Sequence, residues 1–183
     1  MRELHYGTGD VWGFSSYDSV CLTKDRCISD FNFVNVVHQK DNDELNASGI
    51  VGISPQKSSE VGDLFIRELY KKGVLPNEIF SIMIDFDKGS KITFGGYDMK
   101  YAAKGYDLQW HDAKEDTMYW ELVLESFSPS YPGGVGFDNS IQLGQGGKLI
   151  VDSGTNYIFS PVAARKSLIQ DIEKQLNTTC DNT

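Results

Sequence analysis

The chain has 183 residues, of which 40% are hydrophobic and 12% aromatic, and its formal net charge at pH 7 is -9. This composition predicts a folded protein of one or two domains and argues against intrinsic disorder. The acidic balance argues against nucleic acid or an anionic membrane as a partner, because both bind clustered lysine and arginine. The sequence has no apolar run of about 18 residues, so no membrane-spanning helix is predicted.

The first part of the chain, residues 6–37, is predicted to be strands and turns, because β-branched and aromatic residues are interrupted by glycines and a short polar segment. Cys21 and Cys27 flank this segment, LTKDR, so the pair could close a hairpin. Cys180 is left over, which suggests that its partner lies beyond the end of the chain. The alternative is three reduced cysteines in a cytosolic protein. Sequons at Asn46 and Asn177 are compatible with a secretory route.

The middle of the chain alternates between loop, strand and helix. Residues 41–48 form a polar loop, and SGIVGIS predicts a short strand bracketed by Gly49 and Gly52. An amphipathic helix that Gly73 and Pro76 end is predicted from apolar residues at three- and four-residue steps. These are Val61, Leu64, Phe65, Leu69 and Tyr70. Residues 79–96 predict a hairpin of two strands around residues 87–90.

The last part of the chain predicts a strand, a loop, a second strand and a helix. Residues 119–124 have the alternation of a strand, and residues 131–148 form a glycine-rich loop. Ser160 and Pro161 are predicted as the N-cap and first residue of a second amphipathic helix. Its apolar face comprises Ala163, Leu168, Ile169, Ile172 and Leu176. The overall prediction is mainly β, with two helices.

The segment LIVDSGTNYIFSP, residues 149–161, contains the candidate site. Three consecutive apolar residues suit a strand buried on both faces, which would put Asp152 at a buried strand end. A carboxylate there needs hydrogen-bond donors, and the next residues provide two hydroxyls and a glycine amide.

Other catalytic machinery is excluded by motif. The sequence has no GxSxG nucleophile elbow, no phosphate-binding loop and no HExxH pair. The three histidines have no metal-site spacing, so no metal site is predicted.

Several segments in order resemble the pepsin-like aspartic proteases, of the pepsin and cathepsin D kind. HYGTGDVWGFSSYDSV resembles the family's flap, and SGIVGIS its DGILGL segment. ITFGGYD resembles the strand that leaves the N-terminal lobe. YWELVLESF and IVDSGTNYIFSP resemble the substrate wall and the second catalytic aspartate of the C-terminal lobe. The resemblance covers nearly the whole chain and implies a bilobal fold.

The resemblance implies a role for each matching residue. Asp152 would be one of two catalytic aspartates, supported by the hydroxyls of Ser153 and Thr155. Gly154 and Asn156 would border the substrate. The remaining substrate-binding residues would be the flap tip, Tyr6, Gly7 and Thr8, and the pocket residues Ile50 and Tyr119. The implied partner is a polypeptide substrate, the parent protease is expected to be monomeric and lysosomal, vacuolar or secreted, and no cofactor is implied.

The chain departs from the family pattern in two ways. Ser48 precedes Gly49 where the family usually has aspartate. The only Asp-Ser-Gly or Asp-Thr-Gly lies at residues 152–154, whereas the family has another such motif before the flap. The chain is therefore expected to be an internal piece, truncated at both ends. Residues 1–98 would belong to the N-terminal lobe and residues 99–183 to the C-terminal lobe.

Four interpretations follow from the missing aspartate. The first is a piece of an acid endopeptidase, inactive alone. The second is a non-catalytic peptide-binding relative. The third is a dimer that pairs two copies of Asp152, as retroviral proteases pair single aspartates. The fourth is a β-rich domain in which Asp152 only caps a turn.

Overall fold

The computed structural model describes residues 1–6, 9–41, 47–55, 62–85, 87, 89–127, 141–142, 147–155 and 157–180. These residues form nine strands, two α-helices and one short 3-10 helix, Met99–Tyr101, so the mainly β prediction is confirmed. The chain divides into two compact units, Met1–Trp110 and His111–Thr183. Neither α-helix in the described ranges combines the length and apolar character that crossing a bilayer requires.

The first unit contains an antiparallel sheet of three strands in the order β1-β2-β3. The strands are β1, Arg2–Tyr6, β2, Gly9–Thr23, and β3, Arg26–Lys40. The two long strands are linked by a tight turn, because β2 ends at Thr23 and β3 begins at Arg26. Cys21 faces Cys27 in the register and is bonded to it, so the predicted hairpin disulfide is confirmed.

The first helix, α1, spans Phe65–Lys71 and ends as predicted at Gly73, which adopts a φ of 71°. The Gly73 N–H donates to the carbonyl of Tyr70, and the Val74 N–H donates to the carbonyl of Leu69. This pair of bonds is the Schellman arrangement, which satisfies the last carbonyls of a helix and needs a residue that tolerates positive φ.

The apolar core of the first unit lies between α1, β3 and a second hairpin. The hairpin pairs β4, Phe80–Met83, with β5, Lys91–Phe94, and thereby confirms the prediction for residues 79–96. Phe65 from α1 packs edge-to-face against Phe31 of β3 at 5.8 Å and Phe94 of β5 at 6.1 Å between ring centroids. The buried residues of this core cluster are Ile28, Phe65, Ile66, Leu69 and Leu75.

The second unit consists of two small antiparallel sheets and a helix. Strand β6, Glu121–Val123, pairs with β9, Lys148–Ile150, and β7, Ser126–Phe127, pairs with β8, Ile141–Gln142. Helix α2 spans Val162–Leu176 and ends at Asn177, which adopts the left-handed conformation. In the described part of this unit no apolar side chain is fully buried.

The prediction of a strand buried on both faces at residues 149–151 was wrong. The exposed fractions of Leu149, Ile150 and Val151 are 39%, 47% and 54%. The physical reason is that β9 has one neighbouring strand, β6, and no described layer covers its faces. Asp152 therefore follows an exposed strand.

Three smaller predictions also require correction. Residues 49–54 form no strand, because no described strand pairs with them. The strand expected at residue 119 begins only at Glu121. Pro161, rather than Ser160, is the N-cap of α2, because its ψ of 145° is extended. Of the predicted loop 131–148, Ile141–Gln142 forms β8 and Lys148 begins β9, and the rest lies almost entirely outside the described residues.

Candidate active site

The Asp152 turn begins directly after β9. The Val151 N–H donates to the carbonyl of Trp120 at 2.9 Å, which extends the pairing of β6 and β9 up to the turn. Asp152 Oδ1 then accepts a hydrogen bond from the Gly154 N–H at 2.8 Å. One carboxylate oxygen is therefore held by the backbone of its own turn, and the side chain is presented at the protein surface.

Glycine at position 154 allows this close approach. A Cβ at this position would lie 3.1 Å from Asp152 Oδ1, which is tighter than an ordinary contact. Thr155 is half-buried, and its hydroxyl accepts a hydrogen bond from the Tyr157 N–H at 3.4 Å. Ser153 is exposed, and Asn156 lies outside the described residues.

The other predicted substrate-binding residues divide between the two units. Tyr119 belongs to the second unit, where it is exposed close to the start of β6. Its N–H donates to the Thr117 hydroxyl at 3.2 Å, and its carbonyl accepts from the Glu121 N–H at 2.8 Å. Because the Trp120 carbonyl binds the Val151 N–H, the backbone of this segment runs beside the Asp152 turn.

Tyr6 and Ile50 belong to the first unit. Tyr6 ends β1 and faces Gly9 across the sheet, whereas Gly7 and Thr8 lie outside the described residues. Partial burial raises the pKa of the Tyr6 hydroxyl above 10.0, so the group remains a neutral donor throughout the acidic and neutral range. Ile50 is exposed.

Glu121 is a residue of this region that the sequence analysis did not identify. It is the only buried charged residue in the described ranges, with an exposed fraction of 7%. Its Oε1 lies 3.1 Å from Lys114 Nζ and 3.5 Å from Lys148 Nζ. A charged residue between Trp120 and Leu122 in a short alternating strand was the available signal, because such a residue needs a partner when it is covered.

The described residues include no cluster of three or more histidine, cysteine, aspartate or glutamate side chains that could hold a metal ion. The chemistry available at the Asp152 turn is that of an oriented carboxylate with neighbouring hydroxyls. An ionised carboxylate in this position can accept a proton from water, and its protonated form can donate one to a substrate.

Comparisons with known proteins identify the family of the chain. The family model described as eukaryotic aspartyl protease matches residues 1–182. Pregnancy-associated glycoprotein 2 of Sus scrofa is 30% identical over 98% of this chain and 42% of its own length. Cathepsin D of Gallus gallus is 30% identical over 90% of this chain and 40% of its own length.

Pepsin A of Sus scrofa is 26% identical over 96% of this chain and 44% of its own length. The chain thus spans less than half the length of these relatives. A family match over nearly every residue is much more specific than the Asp-Ser-Gly motif alone. The chain therefore belongs to the eukaryotic aspartyl protease family.

Proposed function

We propose that this chain provides one of the two catalytic aspartates, Asp152, of an endopeptidase that hydrolyses peptide bonds in acid. The observation that carries the proposal is the position of Asp152 on a turn after β9, with Oδ1 held by the Gly154 N–H at 2.8 Å, in a chain of this family. That bond fixes the direction of the carboxylate before substrate arrives.

The proposed mechanism needs a second carboxylate about 3 Å from Asp152, with one proton and one water shared between them. At an effective dielectric constant of about 20, two full charges at that distance repel by about 5 to 6 kcal/mol, or about four pKa units. One carboxyl group must therefore stay protonated. The ionised group takes a proton from the attacking water, while the protonated group polarises the scissile carbonyl.

The other residues would hold the polypeptide substrate in place. Ser153 and Thr155 would hydrogen bond to the aspartate pair, and Gly154 and Asn156 would border the peptide. Above it the flap would carry Tyr6, Gly7 and Thr8, whereas Ile50 and Tyr119 would line side-chain pockets. The neutral Tyr6 hydroxyl is suited to donating a hydrogen bond to the peptide in acid.

The second carboxylate is proposed to come from outside the 183 residues, because the sequence has one Asp-Ser-Gly motif. In this arrangement residues 1–98 belong to the N-terminal lobe and residues 99–183 to the C-terminal lobe of a monomeric parent protease. The disulfide Cys21–Cys27 favours an oxidising location, so the parent protein is proposed to be secreted or to act in a lysosome or vacuole.

The test compares the 183-residue chain with the same chain extended by the coding sequence directly upstream of Met1. The extended protein is expected to hydrolyse haemoglobin in acid, and Asp152→Asn should reduce its rate by about a thousandfold or more. Asp112→Asn is the matched control, because Asp112 is an exposed aspartate of the same unit.

The 183-residue chain alone is expected to be inactive. Acid proteolysis by the purified chain that is lost on Asp152→Asn would show that two copies pair their aspartates, and would overturn the proposal of a second carboxylate from elsewhere. Full activity of the extended Asp152→Asn variant would remove Asp152 from the mechanism.

A further inference from the structure

Three charged groups converge on the strand pair that precedes the Asp152 turn. Lys114, Glu121 and Lys148 form an ion-pair cluster in which one glutamate oxygen, Oε1, faces both lysine amines at 3.1 Å and 3.5 Å. The glutamate side chain has an exposed fraction of 9%, whereas both lysine side chains remain more than half exposed. The carboxylate is thus covered, and the two lysines supply its compensating charge.

The register of the sheet explains why these residues meet. Glu121 of β6 faces Ile150 of β9, and Val123 faces Lys148. Glu121 and Lys148 are therefore diagonal neighbours on one face, within reach of long side chains. Lys114 is brought to the same place by its own backbone, because its N–H donates to the Glu121 carbonyl at 2.8 Å.

The cluster acts on the strand that leads to Asp152. Strand β9 has three residues, and the bonds from Leu124 N–H to the Gly147 carbonyl and from Val151 N–H to the Trp120 carbonyl continue its pairing by one bond at each end. A two-stranded sheet this short is marginal without additional contacts. Of the described contacts between β6 and β9, the Glu121–Lys148 pair is the ion pair that joins the two strands.

We propose that Glu121 is a positioning residue, whose ionised carboxylate, held by Lys114 and Lys148, fixes β9 beside β6 and thereby sets the position of the Asp152 turn. The consequence for catalysis rests on the proposed function, but the positioning itself does not. Loss of the negative charge would leave the two lysine amines near each other without their shared counter-charge, and their repulsion would favour separation of β9.

The pKa of the Glu121 carboxyl group is lower than that of an ordinary glutamate. The hydrogen bond from Lys114 holds the pKa of Glu121 below 4.5 despite desolvation, which acts in the opposite direction, and the charges of Lys114 and Lys148 lower the pKa further. In the described ranges these two lysines are the charged groups that face the carboxylate. The hydrogen bond to Glu121 in turn raises the pKa of Lys114 above 10.5.

The directions of the two pKa shifts define the pH range in which the cluster stabilises the fold. The lowered pKa of Glu121 gives stability that is fully present above 4.5 and is lost as the pH falls through the folded-state pKa. The raised pKa of Lys114 gives stability that is present below 10.5 and is lost as the pH rises through its folded-state value. The ion pairs of Glu121 are therefore retained to a lower pH than those of a glutamate with an ordinary pKa.

The experiment uses the 183-residue chain and two readouts by nuclear magnetic resonance. The first is the titration of the Glu121 side-chain carboxyl carbon in the wild type, which requires no variant. The second is hydrogen exchange of the Val151 amide, corrected for intrinsic rates, across the acid range. The variants are Glu121→Gln, with Glu125→Gln as a matched exposed control, and Lys148→Gln as a milder change.

The Glu121 carboxyl is expected to titrate below 4.5, and the Val151 amide to exchange faster as it does so. Glu121→Gln should speed this exchange by about tenfold and abolish its pH dependence, with a smaller effect for Lys148→Gln and none for Glu125→Gln. A merely structural role would not tie the exchange to the titration of one carboxyl group.

A carboxyl that titrates at or above 4.5, or Val151 exchange in Glu121→Gln equal to that in the Glu125→Gln control, would overturn the inference. Neither readout depends on proteolysis. Failure of the positioning role would leave the assignment of Asp152 intact, and an inactive extended protein would leave the positioning role intact.

Discussion

Replacing Leu69 by alanine tests the core of the first unit most directly. Leu69 has an exposed fraction of 0% and packs in the cluster of α1, β3 and the second hairpin. Removing three carbon atoms costs about 2.4 kcal/mol at roughly 0.8 kcal/mol each. A residual cavity of roughly 40 Å³ adds about 1 kcal/mol at roughly 24 cal/mol per Å³. The free energy of unfolding should therefore fall by about 3.4 kcal/mol.

Urea unfolding followed by circular dichroism measures this loss. With an m-value of about 2 kcal/mol/M, the unfolding midpoint of the first unit should fall by about 1.7 M. Leu108→Ala is the matched control, because Leu108 lies in the same unit with an exposed fraction of 43%. Its removal should cost about 1 kcal/mol, since roughly half the side chain is already in water and no closed cavity forms.

Equal losses for the Leu69 and Leu108 variants would refute the reasoning. Such a result would mean that the cluster around Leu69 is not the part of the first unit that limits its stability. A fall in the m-value together with the midpoint would instead indicate that the variant no longer unfolds in one step, and hydrogen exchange at Ile28 would then report the same core directly.

Three further predictions concern the backbone. Gly13→Ala should lower the free energy of unfolding by about 1 to 3 kcal/mol, because a Cβ there would clash with the Asn35 carbonyl oxygen of the facing strand. Gly52→Ala, with no atom within 4 Å of the added Cβ, should change stability little, and equal urea midpoints for the two variants would contradict the prediction. Replacing both Cys21 and Cys27 by serine should lower the free energy of unfolding by about 2 kcal/mol, because the disulfide closes a loop of only 6 residues in sequence separation. A reductant should lower the urea midpoint of the wild type but not that of the variant. Asn177→Ala should destabilise α2 by about 1 kcal/mol, because φ at this position is 47°, which alanine adopts only with strain. Asn177→Gly should not destabilise the helix, and thermal melts followed by far-ultraviolet circular dichroism distinguish the two outcomes.

Local sequence patterns predicted the elements that are held together by contacts between residues close in sequence. The helix ending at Gly73 was predicted because a residue tolerant of positive φ follows an apolar repeat, and the structure has both. The same holds for the hairpin of residues 79–96 and for the pair Cys21 and Cys27, whose partners are few residues apart. The resemblance to the family also came from the sequence and is confirmed by the match over residues 1–182.

Burial was less predictable, because it depends on what packs against an element. Three apolar residues in a row at Leu149 suggested a covered strand, yet β9 has one neighbour and its side chains are exposed in the described fold. Conversely, the sequence places a charged residue, Glu121, in a short strand but does not indicate its partners, because they lie 7 residues before it and 27 residues after it.

The sequence by itself therefore determined the family, the mainly β class and the identity of the candidate carboxylate, because each of these is encoded in short motifs and their order. Only the tertiary structure decided that the Asp152 turn follows an exposed strand and that Lys114, Glu121 and Lys148 meet beside it. The physical reason is that side-chain ion pairs across strands depend on the register of segments distant in sequence, which no local periodicity specifies.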